Sequence, residues 1–114
     1  MGRSTVKTFN EVDDRLGGHR ANRTAVSGDY TVDGNDYVVG VTDTSSARTV
    51  TLASSEVRDG RVIVVNDESN SASTNGITVD TEGSESIDGS SSQSISTDSG
   101  SLRLYSDGSD WFSF

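Results

Sequence analysis

The side chains best suited to chemistry in this sequence are carboxylates set in turns. Asp29, Asp33 and Asp36 fall within one stretch, and Asp107 and Asp110 within another. Oxygen-rich loops of this kind can hold Ca2+ or Mg2+ through carboxylates and backbone carbonyls. No EF-hand spacing is present, and aspartate is also a turn former in its own right, so solvated turn residues are the simpler account. No metal and no cofactor is assigned on this basis; Asp107 and Asp110 come nearest to a Ca2+ or Mg2+ pair.

Other constellations fail on geometry. Asp67 and Glu68 are adjacent carboxylates at the end of an expected strand, where neighbouring residues point to opposite faces. They therefore cannot flank one glycosidic bond as a hydrolase pair does, and solvated strand-end charges are expected instead. His19, the one histidine, sits between Gly18 and Arg20 with no partner set for a triad or a metal. The serines lack a G-x-S-x-G elbow, and Ser90-Ser91-Ser92 reads as a polar loop. Asn22-Arg23-Thr24 matches a glycosylation sequon but carries little weight without an export signal. Tyr37, Tyr105 and Trp111 could stack on a sugar ring, although residues so scarce are more commonly core. The chain is not expected to be an enzyme.

The elements that would carry these residues are strands. Strand patterns run over 29–32, 37–42, 49–52, 61–66, 77–80, 86–87, 93–97, 101–105 and 111–114, separated by Asp-, Ser- and Gly-rich connectors. Short strands at this spacing predict an all-β domain, a small antiparallel β-sandwich or barrel-like fold spanning 26–114. The C-terminal aromatics flank Asp107-Gly108, which predicts a terminal hairpin that buries Trp111, Phe112 and Phe114. Val62-Ile63-Val64-Val65 is apolar on both faces, as in a central strand covered on each side by a sheet or by a neighbouring subunit. Val62, Val64, Trp111, Phe112 and Phe114 are accordingly the expected core and oligomer contacts.

Composition sets the energetic frame. Only 30% of the 114 residues are apolar, a thin supply against the roughly 1.5 kcal/mol that each ordered residue costs. A core this sparse predicts burial supplied by sister chains, hence a homotrimer, or a pentamer if the protein sits at a fivefold vertex. Acidic residues outnumber basic ones 18 to 9, and Lys7 is the sole lysine. That balance disfavours nucleic acid, which needs clustered cations. It matches a halophilic origin, where molar salt screens the self-repulsion of a net charge of -9.

Residues 1–25 differ from the rest. They hold Arg3, Lys7, Arg15, Arg20 and Arg23, and their apolar residues Val6, Phe9, Val12 and Leu16 suit a short amphipathic helix ending at Gly17. This segment reads as a docking arm. Met1–Lys7 lacks the apolar run of a signal peptide and no stretch approaches the ~20 apolar residues of a membrane span, so synthesis in the cytoplasm without a membrane anchor is expected. With no cysteine, the redox compartment leaves no mark.

The ordered series Tyr30-Thr31-Val32, Asp36-Tyr37-Val38-Val39-Gly40-Val41, Arg48-Thr49-Val50-Thr51-Leu52, Gly60-Arg61-Val62-Ile63-Val64-Val65-Asn66-Asp67-Glu68-Ser69, Asn75-Gly76-Ile77-Thr78-Val79, Ile87-Asp88-Gly89 and Leu102-Arg103-Leu104-Tyr105-Ser106-Asp107-Gly108-Ser109-Asp110-Trp111 resembles the C-terminal β-domains of tailed-phage fibre, spike and head-decoration proteins. It covers about 28–114. The resemblance implies a small, commonly trimeric β-module that decorates a virion, touches other capsid or tail proteins and contacts a host glycan or S-layer. A short basic arm in place of a long shaft favours a knob, turret or decoration protein anchored by Val6, Phe9, Val12 and Leu16. Together with the acidic composition, it implies a tailed virus of a haloarchaeon. A carbohydrate-binding or adhesion module of a halophile cell surface is the alternative.

Overall fold

The computed structural model describes residues 20–114; the expected anchor residues Val6, Phe9, Val12 and Leu16, and His19, lie outside them. Nine strands follow one another: β1 (Arg23–Val26), β2 (Tyr30–Val32), β3 (Val38–Val41), β4 (Arg48–Leu52), β5 (Val62–Asp67), β6 (Ile77–Thr81), β7 (Ser92–Ile95), β8 (Ser101–Ser106) and β9 (Trp111–Ser113). A 3-10 turn at Ser54–Glu56 is the only helical element among the described residues. The expected strands are all found apart from 86–87, which forms isolated bridges to Ser90 and Trp111. One strand was not anticipated. β1 lies largely within the segment read as an arm, so among the described residues β-structure begins at Arg23.

The all-β expectation holds, while its antiparallel form is corrected. The strands make two mixed sheets, β1-β3-β5-β8-β9 and β2-β4-β6-β7. β1, β3 and β5 are mutually parallel, and so are β2, β4 and β6. The chain therefore alternates between the sheets, adding one parallel strand to each per turn, for three turns. Parallel neighbours need a long crossover, and here the crossover is a strand of the facing sheet rather than a helix. After β6 the chain stops coiling: β7 folds back on β6, β8 on β5 and β9 on β8, all antiparallel. The expected terminal hairpin is β8–β9, turned at Gly108, whose φ of 96° suits a residue without a Cβ.

Register explains the core. Thr24, Val39, Val65 and Leu102 align across the five-stranded sheet, as do Tyr30, Val50, Val79 and Gln93 across the four-stranded one. Val39, Val41, Ile63, Val65 and Leu104 of the first sheet share one buried cluster with Val32, Val50, Leu52, Ile77, Val79 and Ile95 of the second. β-branched side chains stacked on like neighbours fill this narrow space with little rotamer entropy to lose. The edge of β9 is not left open. Trp111 donates its amide to the Ser86 carbonyl at 2.8 Å and accepts from the Asp88 amide at 3.0 Å, which brings Ile87 and the indole together in the core.

The C-terminal aromatics divide. Trp111 is fully buried, but Phe112 is half-buried and Phe114 is 57% exposed. The expectation that the whole cluster is interior is thus corrected, and so is the core assignment of Tyr37 and Tyr105, exposed by 37% and 41%. Period-two alternation forces this result: if Trp111 faces inward, Phe112 must face outward.

Candidate functional site

Three places could contact a partner: a cleft at one corner of the coil, a carboxylate-rich opposite corner, and the outer face of the five-stranded sheet. The cleft lies between 42–47, which links β3 to β4, and 68–76, which links β5 to β6. Its volume is about 410 Å3, and its lining is wholly polar: Thr42, Asp43, Thr44, Ser45, Ser69, Ser71, Thr74 and Asn75. Asp67 builds one wall. Its carboxylate, 1% exposed, accepts the amides of Ser69, Ser71, Ala72 and Ser99 at 2.9–3.1 Å and the Ser69 hydroxyl at 2.5 Å. Burial alone would push this carboxyl up, but the donors from Ser69, Ala72 and Ser99 outweigh it and hold the group below its ordinary value.

The expectation of a solvated Asp67 is therefore wrong. The residue points inward as the last member of β5, and an inward carboxylate persists only when fully hydrogen-bonded. Glu68 points outward, as alternation requires, and pairs with Arg23. The two do not face one substrate, which agrees with the exclusion of a hydrolase pair.

The second wall is held by side chains. Buried Thr44 shares a hydrogen bond of 2.6 Å with the Ser69 hydroxyl, joining the two loops. Asn75 Nδ2 donates to the carbonyls of Thr44 and Ser45 at 3.0 and 3.2 Å. Arg48 Nε donates to the Asp43 carbonyl at 2.8 Å. The Asp43 carboxyl lies below its ordinary value because it accepts hydrogen bonds from Ser45 and faces Arg48. Hydroxyls, one carboxylate and one amide suit hydrogen bonding to a polyhydroxylated or hydrated ligand, and none of these groups is set as a nucleophile beside a base.

The opposite corner is a set of staples. Asp36, also buried, accepts from Thr24 Oγ1 at 2.5 Å, the Tyr30 hydroxyl at 2.7 Å and the Asp33 amide at 2.8 Å, tying β1 to β2. Burial opposes its charge, yet the donors keep its carboxyl low. Burial, then the bond to Asp36, pushes the Tyr30 hydroxyl up to about 12. Buried Glu56 receives Arg58 and Arg61, each at 2.9 Å, and these ion pairs overcome the desolvation that would raise it. Asp107 Oδ1 caps its own turn through the Ser109 and Asp110 amides, and Asp110 Oδ1 accepts from Ser86. Asp107 and Asp110 thus serve turn geometry. Among the described residues no three His, Cys, Asp or Glu side chains gather as a metal site.

The outer face of the five-stranded sheet carries an apolar patch beside Arg23, Asn66, Ser101 and Arg103. Alternation places Val38, Val62, Val64, Tyr105 and Phe112 outward, since Val39, Ile63, Val65, Leu104 and Trp111 face the core. Tyr105 packs against Phe112 and Phe114, with ring centroids 5.6 and 5.7 Å apart, and the Arg103 guanidinium lies 5.0 Å from the Phe114 ring. Sequence reasoning named Val62, Val64, Phe112 and Phe114 as core or oligomer contacts, and the structure gathers these four on one surface while sending Trp111 to the interior. Tyr105, Val38 and Arg103 were missed as members of this face, although their register against Val62 and Val64 is where the signal lay.

No protein-family model matches the chain, and no curated protein matches it. Among the described residues no helix is long and apolar enough to cross a membrane.

Proposed function

We propose that this chain is a non-enzymatic structural protein of a virion: a turret, decoration protein, spike or short fibre knob of a halophilic tailed virus, located in the particle and anchored through residues 1–25. The observation that carries the reading is an apolar sheet face on a chain of net charge -9. A small acidic domain stabilises itself in molar salt, and an apolar exterior face is what a module built to be covered displays. Self-association as a homotrimer, or a pentamer at a fivefold vertex, supplies that cover. The resemblance of its ordered sequence motifs to fibre, spike and head-decoration domains supports the same reading.

The polar cleft favours one alternative, a carbohydrate-binding or adhesion module of a halophile surface, because its hydroxyl, carboxylate and amide groups match a glycan's own donors and acceptors. Incorporation decides between them. Particles assembled from the capsid and tail proteins encoded beside this chain should take up the full-length protein and reject one lacking residues 1–22. Absence of the full-length protein from such particles, with retention on isolated S-layer abolished by Asp43→Ala or Asn75→Ala, would replace the virion reading with the adhesion one.

A further inference from the structure

We infer that the apolar patch on the five-stranded sheet is the dock for this chain's own residues 9–16, with Phe9, Val12 and Leu16 as the groups it receives. This rests on the reading of residues 1–25 as an arm and adds where that arm lies before it meets a particle. The patch consists of two outward rows. Arg23, Val38, Val64 and Arg103 are in register, and Phe114 extends their row by donating its amide to the Arg103 carbonyl at 3.0 Å. Val62, Tyr105 and Phe112 form the row beside it. The first row ends on β1 at Arg23, so the chain enters the sheet at the border of the patch.

Reach and dimensions fit this occupant. Gly17–Asn22 is six residues long, at most ~20 Å when extended. Counted from Arg23, the patch begins one strand away at Val38, ~5 Å, and ends at Phe114, ~19 Å. Phe9, Val12 and Leu16 recur at helical spacing, and Phe9 to Leu16 covers ~10.5 Å along a helix axis. The two strand spacings from β3 to β8 cover ~9.6 Å. With Leu16 over Val38, Phe9 therefore arrives over β8 beside Tyr105 and Phe114. Gly17-Gly18 supplies the bend that returns the chain to β1. A short tether keeps the segment at millimolar effective concentration, so a contact too small to join two separate chains suffices.

Charge selects the same place. Residues 9–16 carry Glu11, Asp13 and Asp14 against Arg15 and are repelled by an acidic surface. Of the outward residues on the five-stranded sheet, Glu68 is the one carboxylate, and Arg23 holds it. Arg103 has no carboxylate partner among the described residues. Asp13 lies four residues after Phe9 and three before Leu16, on the border of the apolar stripe, and is the group that meets Arg103. The four-stranded sheet offers no second dock, since its outward Thr49, Thr51, Thr78, Asp80 and Ser92 provide no apolar anchor. While the arm lies on the sheet, its apolar residues are withheld from the particle, and a sister chain reaches the patch only in competition with it.

The sequence contains no cysteine, so an introduced pair reports on a single contact. In the full chain, Val12→Cys/Val64→Cys should close a disulfide within one chain on mild oxidation in ~2 M salt, at a rate independent of dilution. Closure should be roughly 10-fold or more faster than in Val12→Cys/Thr78→Cys, whose second site lies on the four-stranded sheet. Emission from buried Trp111 reports that each variant is folded, and Val38→Cys takes the place of Val64→Cys if that one is not. Adding Arg103→Glu should slow closure several-fold, and Asp13→Arg combined with Arg103→Glu should restore it. Equal rates at Val64 and Thr78 overturn the inference. So does a disulfide between chains, which makes a sister copy's arm the occupant. Particle uptake is a separate measurement. A chain that closes on itself yet never enters particles when reduced sinks the virion reading and leaves the dock standing, whereas equal uptake of the oxidised and reduced chains overturns the withholding of the arm.

Discussion

The two sheets are near equivalents on the inside and opposites on the outside, and the same alternation rule produces both facts. Inward positions of each sheet carry Val, Ile and Leu and merge into one core. Outward positions of the five-stranded sheet carry Val38, Val62, Val64, Tyr105 and Phe112 beside Arg23, Asn66 and Arg103, whereas those of the four-stranded sheet carry threonine, serine and Asp80. An interior must be apolar whatever the protein does, because burial is the main favourable term in folding. An exterior is under no such constraint, so a difference between two exteriors points to what each one meets. Here one face gathers apolar and aromatic side chains and the other hydroxyls.

The interior that both sheets share offers the largest effect. Asp67→Ala removes the acceptor of the Ser69, Ser71, Ala72 and Ser99 amides and should cost on the order of 3–5 kcal/mol in denaturant unfolding at ~2 M salt. A loss under ~1 kcal/mol would mean that the corner does not depend on this staple. Because it joins β5 to β6, the variant should loosen both sheets together.

Acid should act on the same staples. Asp36, Glu56 and Asp67 all titrate below their ordinary values in the folded chain. Their contribution is complete above the unfolded carboxylate range near pH ~4 and is lost as pH falls through the lower folded values. Tm in molar salt should stay level from about pH 7 to 5 and decline below about 4; a rise on acidification to pH 3 would contradict the assignment.

Salt separates the two exteriors. On dialysis from molar to millimolar salt, self-repulsion should lower Tm, and assembly through the apolar face should weaken with it. A Tm unchanged between the two conditions removes the argument for halophilic origin. The smallest effect belongs to Arg23→Ala. Its pair with Glu68 is solvent-exposed, and such pairs contribute little. Tm of the dissociated chain should not move measurably, and a clear drop would show that β1 is held by this pair rather than by its register on β3.

Strand positions were legible because hydrophobic alternation is local: β2 to β9 lie within a residue or two of where the Val, Ile and Thr patterns place them. The Asp107-Gly108 turn was legible for the same reason, since left-handed φ at a turn selects glycine. β1 escaped because Arg23-Thr24-Ala25-Val26 has a single strongly apolar residue and is a strand only through its register on Val38–Val41. Of the candidate surfaces, the apolar face was half-legible in Val62, Val64, Phe112 and Phe114. The cleft was not, because 42–47 and 68–76 meet only when β3 and β5 pair in parallel.

The sequence by itself determined that the chain is β from about residue 26 onward, acidic and short of core, because composition and period-two patterning are properties of neighbouring residues. Tertiary structure decided the rest. Parallel coiling cannot be read from strands alone: the partners Thr24, Val39 and Val65 are unequally spaced in the chain and leave no fixed repeat. Nor could sequence settle which carboxylates are solvated. Asp67 and Glu68 are adjacent and chemically alike, yet one ends inside with donors from two separate stretches, 69–72 and Ser99, and the other ends outside against Arg23. Ser69, Ser71 and Ala72 are near Asp67 in the chain, but only the pairing of β5 with β8 brings Ser99 within reach, and that pairing is a long-range event that no local pattern encodes.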